Sequence, residues 1–291
     1  MKKYELTEKM IPVKRQTLKV QNRRQQMVLS MTLSLLFLAA ICVGGMLSTE
    51  AAGVTDFSRK NLPPGVTWLF GTDWLGRDMF ARTLKGMSVS MLIGIFAGVI
   101  SAGVALFAGI AAAVFGKKVD GIVTFLIDLV MGIPHILLMI LICVAAGRGL
   151  RGVTIAVALT HWPSLARLIR AEVLQLKDQP YILIAEKLGK SKWEIAKNHI
   201  LPHLLPQFAV GLVLLFPHAI LHEASMTFLG FGLSSEQPAI GNILSESVKY
   251  LMTGQWWLAL FPGIVLVMVA ALFYTAGENL RRLTDPGSAH E

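Results

Sequence analysis

The chain has 291 residues, of which 54% are hydrophobic and only 15% charged, and its mean hydropathy is +0.60. A soluble domain carries roughly a quarter of its residues as charges, so the composition excludes an ordinary soluble fold and points to an integral membrane protein. The net charge of +9 is concentrated locally: residues 1–26 hold Lys2, Lys3, Lys9, Lys14, Arg15, Lys19, Arg23 and Arg24 against Glu5 and Glu8. A basic segment beside the first apolar run reads as cytoplasmic by the positive-inside rule. A nucleic-acid patch has no fold to support it, and the segment is too long and mixed in charge for the n-region of a cleavable leader. Cys42 and Cys143 fall in apolar runs far apart in sequence, which predicts neither a disulfide nor a metal site.

Crossing the hydrocarbon core takes about 20 mostly apolar residues. Six segments qualify, at 27–47, 88–114, 121–146, 152–170, 206–229 and 257–277; the fourth is the weakest, because Arg167 and Arg170 enter its last turns. The chain therefore divides into a basic N-terminal segment (1–26), a first span with its outer loop (27–69), a core of five spans (70–286) and a short tail (287–291). With the N-terminus inside, the turn GKKVDG at 116–121, the stretch 167–206 and the tail ENLRRLTDP are cytoplasmic, as their basic residues prefer. The loop GRGLRG falls outside against that rule. Ahead of the second span, Asp73, Arg77 and Asp78 can form a local ion-pair network, but capping and orienting the helix suffices to explain them. Within that span Ser90, Gly94, Gly98 and Ala102 recur every four residues. Such a small-residue face lets backbones approach closely, either at a subunit interface or within the chain. Pro134 and Pro217 lie inside spans and predict kinks.

Between the fourth and fifth spans, Tyr181 to Leu188 has helical composition and Gly189 ends it; Ser191 caps a second short helix, which Pro202 breaks. A helix–turn–helix thus protrudes into the cytoplasm, of a size to dock in a groove on a soluble partner. The triplet GKS at 189–191 is no phosphate-binding loop, because the glycine required five residues earlier is Ile184.

The run FPHAILHEASMTFLGFG at 216–232 sets His218, His222 and Glu223 among apolar residues. Residues four apart share a helix face, so the two histidines point the same way, with Gly211, Leu215, Ser225 and Met226 flanking the stripe. Ionisable groups inside membrane spans usually face the bundle interior or a wet cavity. A packed neutral histidine bonded to a carbonyl freed by Pro217 is the bland alternative; two histidines at this spacing favour a path lining. HEAS at 222–225 begins like the zinc-peptidase pattern HExxH, but position 226 is Met, so an intramembrane metallopeptidase is a remote alternative. His135 is a secondary path candidate. Asp128 reads as structural. His161 lies at a kink beside Pro163 and is set aside; His199 and His203 fall near the cytoplasmic loop and are expected to be exposed.

Several of these stretches resemble one family. Ala185, Gly189, Leu201 and Pro202 fall in register with the cytoplasmic loop of ABC-importer permeases, although Leu183 and Ile184 replace its usual Glu-Ala and His199 its isoleucine. The stretch FGTDWLGRD at 70–78 is similar to the signature of the dipeptide, oligopeptide and nickel importers, as are TFLGFG at 227–232, WLALFPG at 257–263 and GENLRRLTDP at 277–286. The His-x-x-x-His pair at 218 and 222 resembles the nickel members. The resemblance implies an all-α integral membrane permease of the type I ABC-importer kind, with six spans and a cytoplasmic coupling element. Ala185, Gly189, Ser191, Leu201 and Pro202 would receive the motion of the ATPase, and His218, His222, Glu223, Met226 and His135 would line the path. His218 and His222 would hold a metal transiently, since imidazole suits nickel, zinc and copper. The implied cargo is nickel or a chelated transition metal, with di- or oligopeptides as the alternative. The chain itself would be no enzyme and hold no cofactor, ATP and Mg belonging to partner ATPase subunits. Implied partners are a second permease, two ATP-binding subunits or domains, an extracytoplasmic solute-binding protein and membrane lipid, with no nucleic acid. Both termini would be cytoplasmic in the cell membrane.

Overall fold

The computed structural model describes residues 23–285. The basic segment therefore lies outside the described residues except for 23–26, as does the tail 287–291. The described chain is helical throughout: α1 (Arg23–Leu47), α2 (Met79–Val114), α3 (Lys117–Gly132), α4 (His135–Ala145), α5 (Gly149–Lys177), α6 (Pro180–Lys187), α7 (Lys192–Ile195), α8 (Leu201–Phe228), α9 (Ile240–Leu251) and α10 (Trp257–Thr284). Four helical stretches are long and apolar enough to cross a membrane, and α3 with α4 makes a fifth if the bent pair is one span. The less apolar α5 is 29 residues long and packs most extensively against α2.

At the centre of the bundle, α2 starts earlier than the apolar run alone predicts. Asp78 caps it, accepting the Phe80 amide at 2.9 Å, so the helix runs 36 residues. Its small-residue stripe packs inside the chain. A Cβ added at Gly94 would lie 2.5 Å from Ile220 Cγ1, one at Gly98 would lie 3.0 Å from Phe216 Cδ1, and Ser90 Oγ accepts the Ile240 amide at 3.3 Å. The stripe seats α2 against α8 and α9.

The expected third span, 121–146, is broken: α3 and α4 meet at a bend of 99°. Pro134 has no N–H to continue the ladder, and it holds Ile133 extended at φ −95°, ψ 138°. The fourth span is longer at both ends than 152–170. In the segment 181–206, Gly189 takes φ +80°, and Ser191 forms a capping box in which the Glu194 amide donates to its Oγ at 3.2 Å. The expected break at Pro202 does not occur. Residues 196–200 widen into a π-turn, with the Leu201 amide donating to the Ala196 carbonyl, and Pro202 sits in the first turn of α8, where its missing N–H costs little. Helix therefore continues from Lys192 to Phe228.

Near the N-terminal end of α2, charge is buried and matched. Asp73 Oδ1 accepts the amides of Leu75 and Arg77, both at 2.9 Å, while Oδ2 accepts Arg77 Nε at 2.7 Å and Arg82 Nη1 at 2.6 Å. Arg82 Nη2 reaches Glu246 Oε2 on α9 at 3.0 Å. Capping is thus the role of Asp78, whereas Asp73 and Arg77 belong to an ion-pair network that ties the preceding loop to α2 and α9.

Candidate functional site: an imidazole-lined cavity

The α3–α4 bend, α5 and α8 enclose a cavity of about 820 Å³, open on one side. Pro134 ends α3 and starts α4 at His135, so the bend presents that ring at the N-terminus of the new helix. His161 enters from α5; His218 and His222 enter from α8. Three of these rings converge. The ligand-capable nitrogens of His135, His161 and His222 all lie within 4.8 Å of one another, and their ring centroids are 4.6–5.1 Å apart.

His161 Nδ1 lies 3.0 Å from the Val157 carbonyl and 3.1 Å from Thr160 Oγ1, whose hydroxyl donates to the Ala156 carbonyl at 2.8 Å; with Nδ1 donating to Val157, Nε2 is left as an acceptor. Nε2 of His161 and of His135 are both buried with no hydrogen-bond partner among the described residues. A backbone carbonyl behind an imidazole is the outer-shell support that fixes the tautomer of a metal-binding histidine. The remaining lining is Val, Met, Gly, Ile, Pro, Thr, Ser and Leu, with no charged side chain.

Of the residues offered for a path, His135, His218 and His222 line the cavity, with Gly211 and Leu215 on the same wall. Three others are placed differently. Glu223 is fully buried, with Oε1 accepting from Thr227 Oγ1 at 2.8 Å, and Met226 is fully buried in the core; neither lines the cavity. Glu223 is turned about 100° from His222 around α8, whereas Met226, one turn further along on the same side of the helix, is buried by packing in the core. His161, set aside for its neighbouring proline, is part of the cluster. The three converging histidines come from three helices, so no spacing in the sequence marks them; the excess of histidines in apolar runs was the available signal. In the segment 181–206, Ala185 is buried, whereas Tyr181, Leu183, Ile184, Leu188 and Trp193 are exposed.

The described residues form a bundle of helices, several long and apolar enough to cross a membrane, around an open, sparsely polar cavity. The chain belongs to the family described as "Binding-protein-dependent transport system inner membrane component", which its residues 105–288 match. It is similar to the dipeptide transport system permease protein DppC of Bacillus subtilis, at 32% identity over 87% of this chain and 79% of that protein. A putative peptide transport system permease of Brucella suis is 35% identical over 91% and 88% of the two chains. The probable D,D-dipeptide permease DdpC of Escherichia coli is 30% identical over 89% and 87%. Among solved structures, one described as inward-facing conformations of the MetNI methionine ABC transporter superposes with a TM-score of 0.60 at 18% identity, covering 71% of this chain and 98% of that one. The protein is therefore a multi-pass membrane permease subunit of an ABC importer with the type I fold, and a permease of this kind works with an ATPase and a substrate-binding protein. The names of these relatives favour peptides, and they lend the nickel expectation no support.

Proposed function

We propose that the chain forms part of the translocation path of an ATP-driven importer whose cargo is a transition metal of the nickel class carried in an organic chelate. The observation that supports this reading is the convergence of three imidazoles with free nitrogens on one point of an open cavity. Imidazole is a borderline ligand suited to nickel, zinc and copper, and three such groups leave coordination positions for donors brought by the cargo. The uncharged lining argues for a chelate. A bare divalent ion at membrane depth would carry uncompensated charge, whereas an anionic chelator neutralises it, and the cavity has room for both. Glu223, engaged with Thr227 and turned away, supplies no counter-charge. His218, on the same face of α8, would be a second contact as cargo moves.

Peptide cargo is the second reading, supported by the printed names of the relatives. Uptake by the assembled transporter separates the two. With metal cargo, His161→Ala and His222→Ala each lower uptake of chelated nickel at least about tenfold, and dipeptide uptake is absent or unaffected. Robust dipeptide uptake with nickel uptake unchanged in both variants would sink the metal reading.

In the assembly we propose, a second permease completes the path, two ATP-binding subunits hold ATP and Mg²⁺, and a solute-binding protein delivers cargo from outside; both termini are cytoplasmic. The exposed apolar side chains of 181–193 are suited to docking on an ATPase. Gly189 and Ser191 shape the turn, Ala185 packs α6 inward, and the stretch through Leu201 and Pro202 joins the docked element to α8. Gly189→Pro is expected to abolish cargo-stimulated ATP hydrolysis while the subunit still inserts; stimulation that survives would refute the docking assignment.

A further inference from the structure

Two arginines on α5 lie on the cytoplasmic side of His161, and the structure uses them differently. Arg170 is forked onto Asp120 of α3, through Nε to Oδ1 and through Nη2 to Oδ2 at 2.7 Å, with both side chains 29% exposed. Arg167 makes a single contact, Nη2 to Asp128 Oδ1 at 2.9 Å, and the two side chains are 54% and 60% exposed. Its Nε and Nη1 donors are free of protein acceptors in that pairing. Arg167 and Asp128 are not lining residues themselves but lie beside the lining: Ser164 and Leu168, which flank Arg167 on α5, line the cavity, as does Met131, one turn beyond Asp128 on α3.

Arg167 lies in the last turns of the fourth span, where a half-exposed guanidinium reaches water or protein rather than lipid. Along α5, Arg167 is the first charge below His161, and the cavity lining between them is uncharged. Six residues separate the two positions, about 9 Å along a helix. An extended unit of two to three residues spans about 7–10 Å, so a small cargo held at the imidazoles reaches the level of Arg167.

We propose that Arg167 is the carboxylate anchor of the cargo path. A carboxylate on the cargo takes the free donors of the guanidinium as a fork, the geometry that arginine offers and lysine does not. Asp128 holds the side chain extended in the empty path and gives way to the incoming anion; an exposed single-contact ion pair is weak enough to be exchanged. A chelating amino acid and a peptide C-terminus present the same group. The inference thus rests on the cavity being the cargo path and not on which cargo it carries.

Equilibrium binding to the reconstituted permease–ATPase complex, without the solute-binding protein, tests it with probes that differ in one carboxylate. The metal pair is nickel–histidine and nickel–histamine. The peptide pair is a dipeptide and its C-terminal amide. For the pair that binds, the wild type is expected to prefer the carboxylate form about tenfold or more, the range of a charge-assisted contact. Arg167→Gln removes that preference, and Arg167→Lys restores part of it. Asp128→Asn breaks the same ion pair and keeps the preference, so a loss shared by both variants reports only a brace between α3 and α5. Equal weakening of both probes in Arg167→Gln, or a preference that survives it, overturns the anchor. Binding by the peptide pair alone removes the metal reading while leaving the anchor to stand or fall on its own ratio. Binding by neither pair overturns the anchor together with the path assignment.

Discussion

Just before α2, Asp73 is fully buried and accepts four hydrogen bonds, two from amides and two from guanidinium groups. In the cavity, His135 and His161 each bury an Nε2 with no partner among the described residues. Both places remove polar groups from water, where an unmatched group is costly, yet only the first is complete. A saturated network fixes geometry: the Asp73 cluster clamps the loop before α2 to α9 and has little capacity left for a ligand. An unsaturated one at the wall of an open cavity is poised to receive donors or an ion from outside. Saturation together with an open cavity wall thus distinguishes these two places; an unpartnered atom alone does not, since Glu223 Oε2 also lacks a partner away from the cavity.

Substitutions sharpen that contrast, and the largest effect is expected in the clamp. Arg82→Met strips the buried Asp73 and Glu246 of a shared partner and is expected to cost about 3 kcal/mol, in line with breaking a buried pair. Thermal unfolding of the purified complex would show it, and a neutral result would mean that the network is no clamp. Next comes Gly94→Val. The added Cβ falls 2.5 Å from Ile220 Cγ1 and 3.1 Å from the Ile220 backbone nitrogen, and backbone cannot move aside cheaply. Overpacking of this kind costs about 1–3 kcal/mol and would displace α8, which carries His222; Gly103→Val, where nothing lies within 4 Å of the added Cβ, is the control.

His222→Ala is expected to leave stability within about 1 kcal/mol of the wild type, because no intramolecular bond is lost, while cargo binding falls. A large drop in Tm with binding retained would reverse the assignment and make the cluster part of the scaffold. The smallest effect belongs to the partly exposed Asp56 in the loop between α1 and α2. The Ser58 hydroxyl, and then the Ser58 amide, hold its carboxyl below the ordinary aspartate range. Its contribution is therefore present above the unfolded aspartate value near pH 4 and is lost as pH falls through the lowered folded value. Ser58→Ala should flatten that acid limb of the Tm profile slightly; an effect as large as that of Arg82→Met would contradict the ranking.

Much of this protein was determined locally. Apolar runs of about 20 residues specify membrane helices because lipid offers the backbone no hydrogen bonds. The cap at Ser191 and the left-handed turn at Gly189 are decided within a few residues by side-chain chemistry and sterics. Prolines showed the limit of that reading. Pro134 and Pro202 both look like helix breakers, but one produces a 99° bend and the other is absorbed by a π-turn within a continuous helix. What differs is whether neighbouring turns can satisfy the freed backbone groups, which depends on conformation beyond the residue itself. The resemblance placed the chain among importer permeases, and the small-residue stripe on α2 announced a close approach without naming its partner.

Only the tertiary structure could assemble the site. His135, His161 and His222 are separated by 26 and 61 residues in the chain, and no local rule relates positions on three helices. Their convergence depends on the bend at Pro134 and on how closely α2 admits α8 through Gly94 and Gly98. Glu223 shows the converse: one residue from His222 in sequence, it faces the packed interior, because a helix turns about 100° per residue. Sequence alone determined that this chain spans a membrane and where it turns, since those choices rest on hydropathy and local sterics. Which histidines meet, and which acid is removed from the path, was decided by packing, since that depends on contacts between helices far apart in the chain.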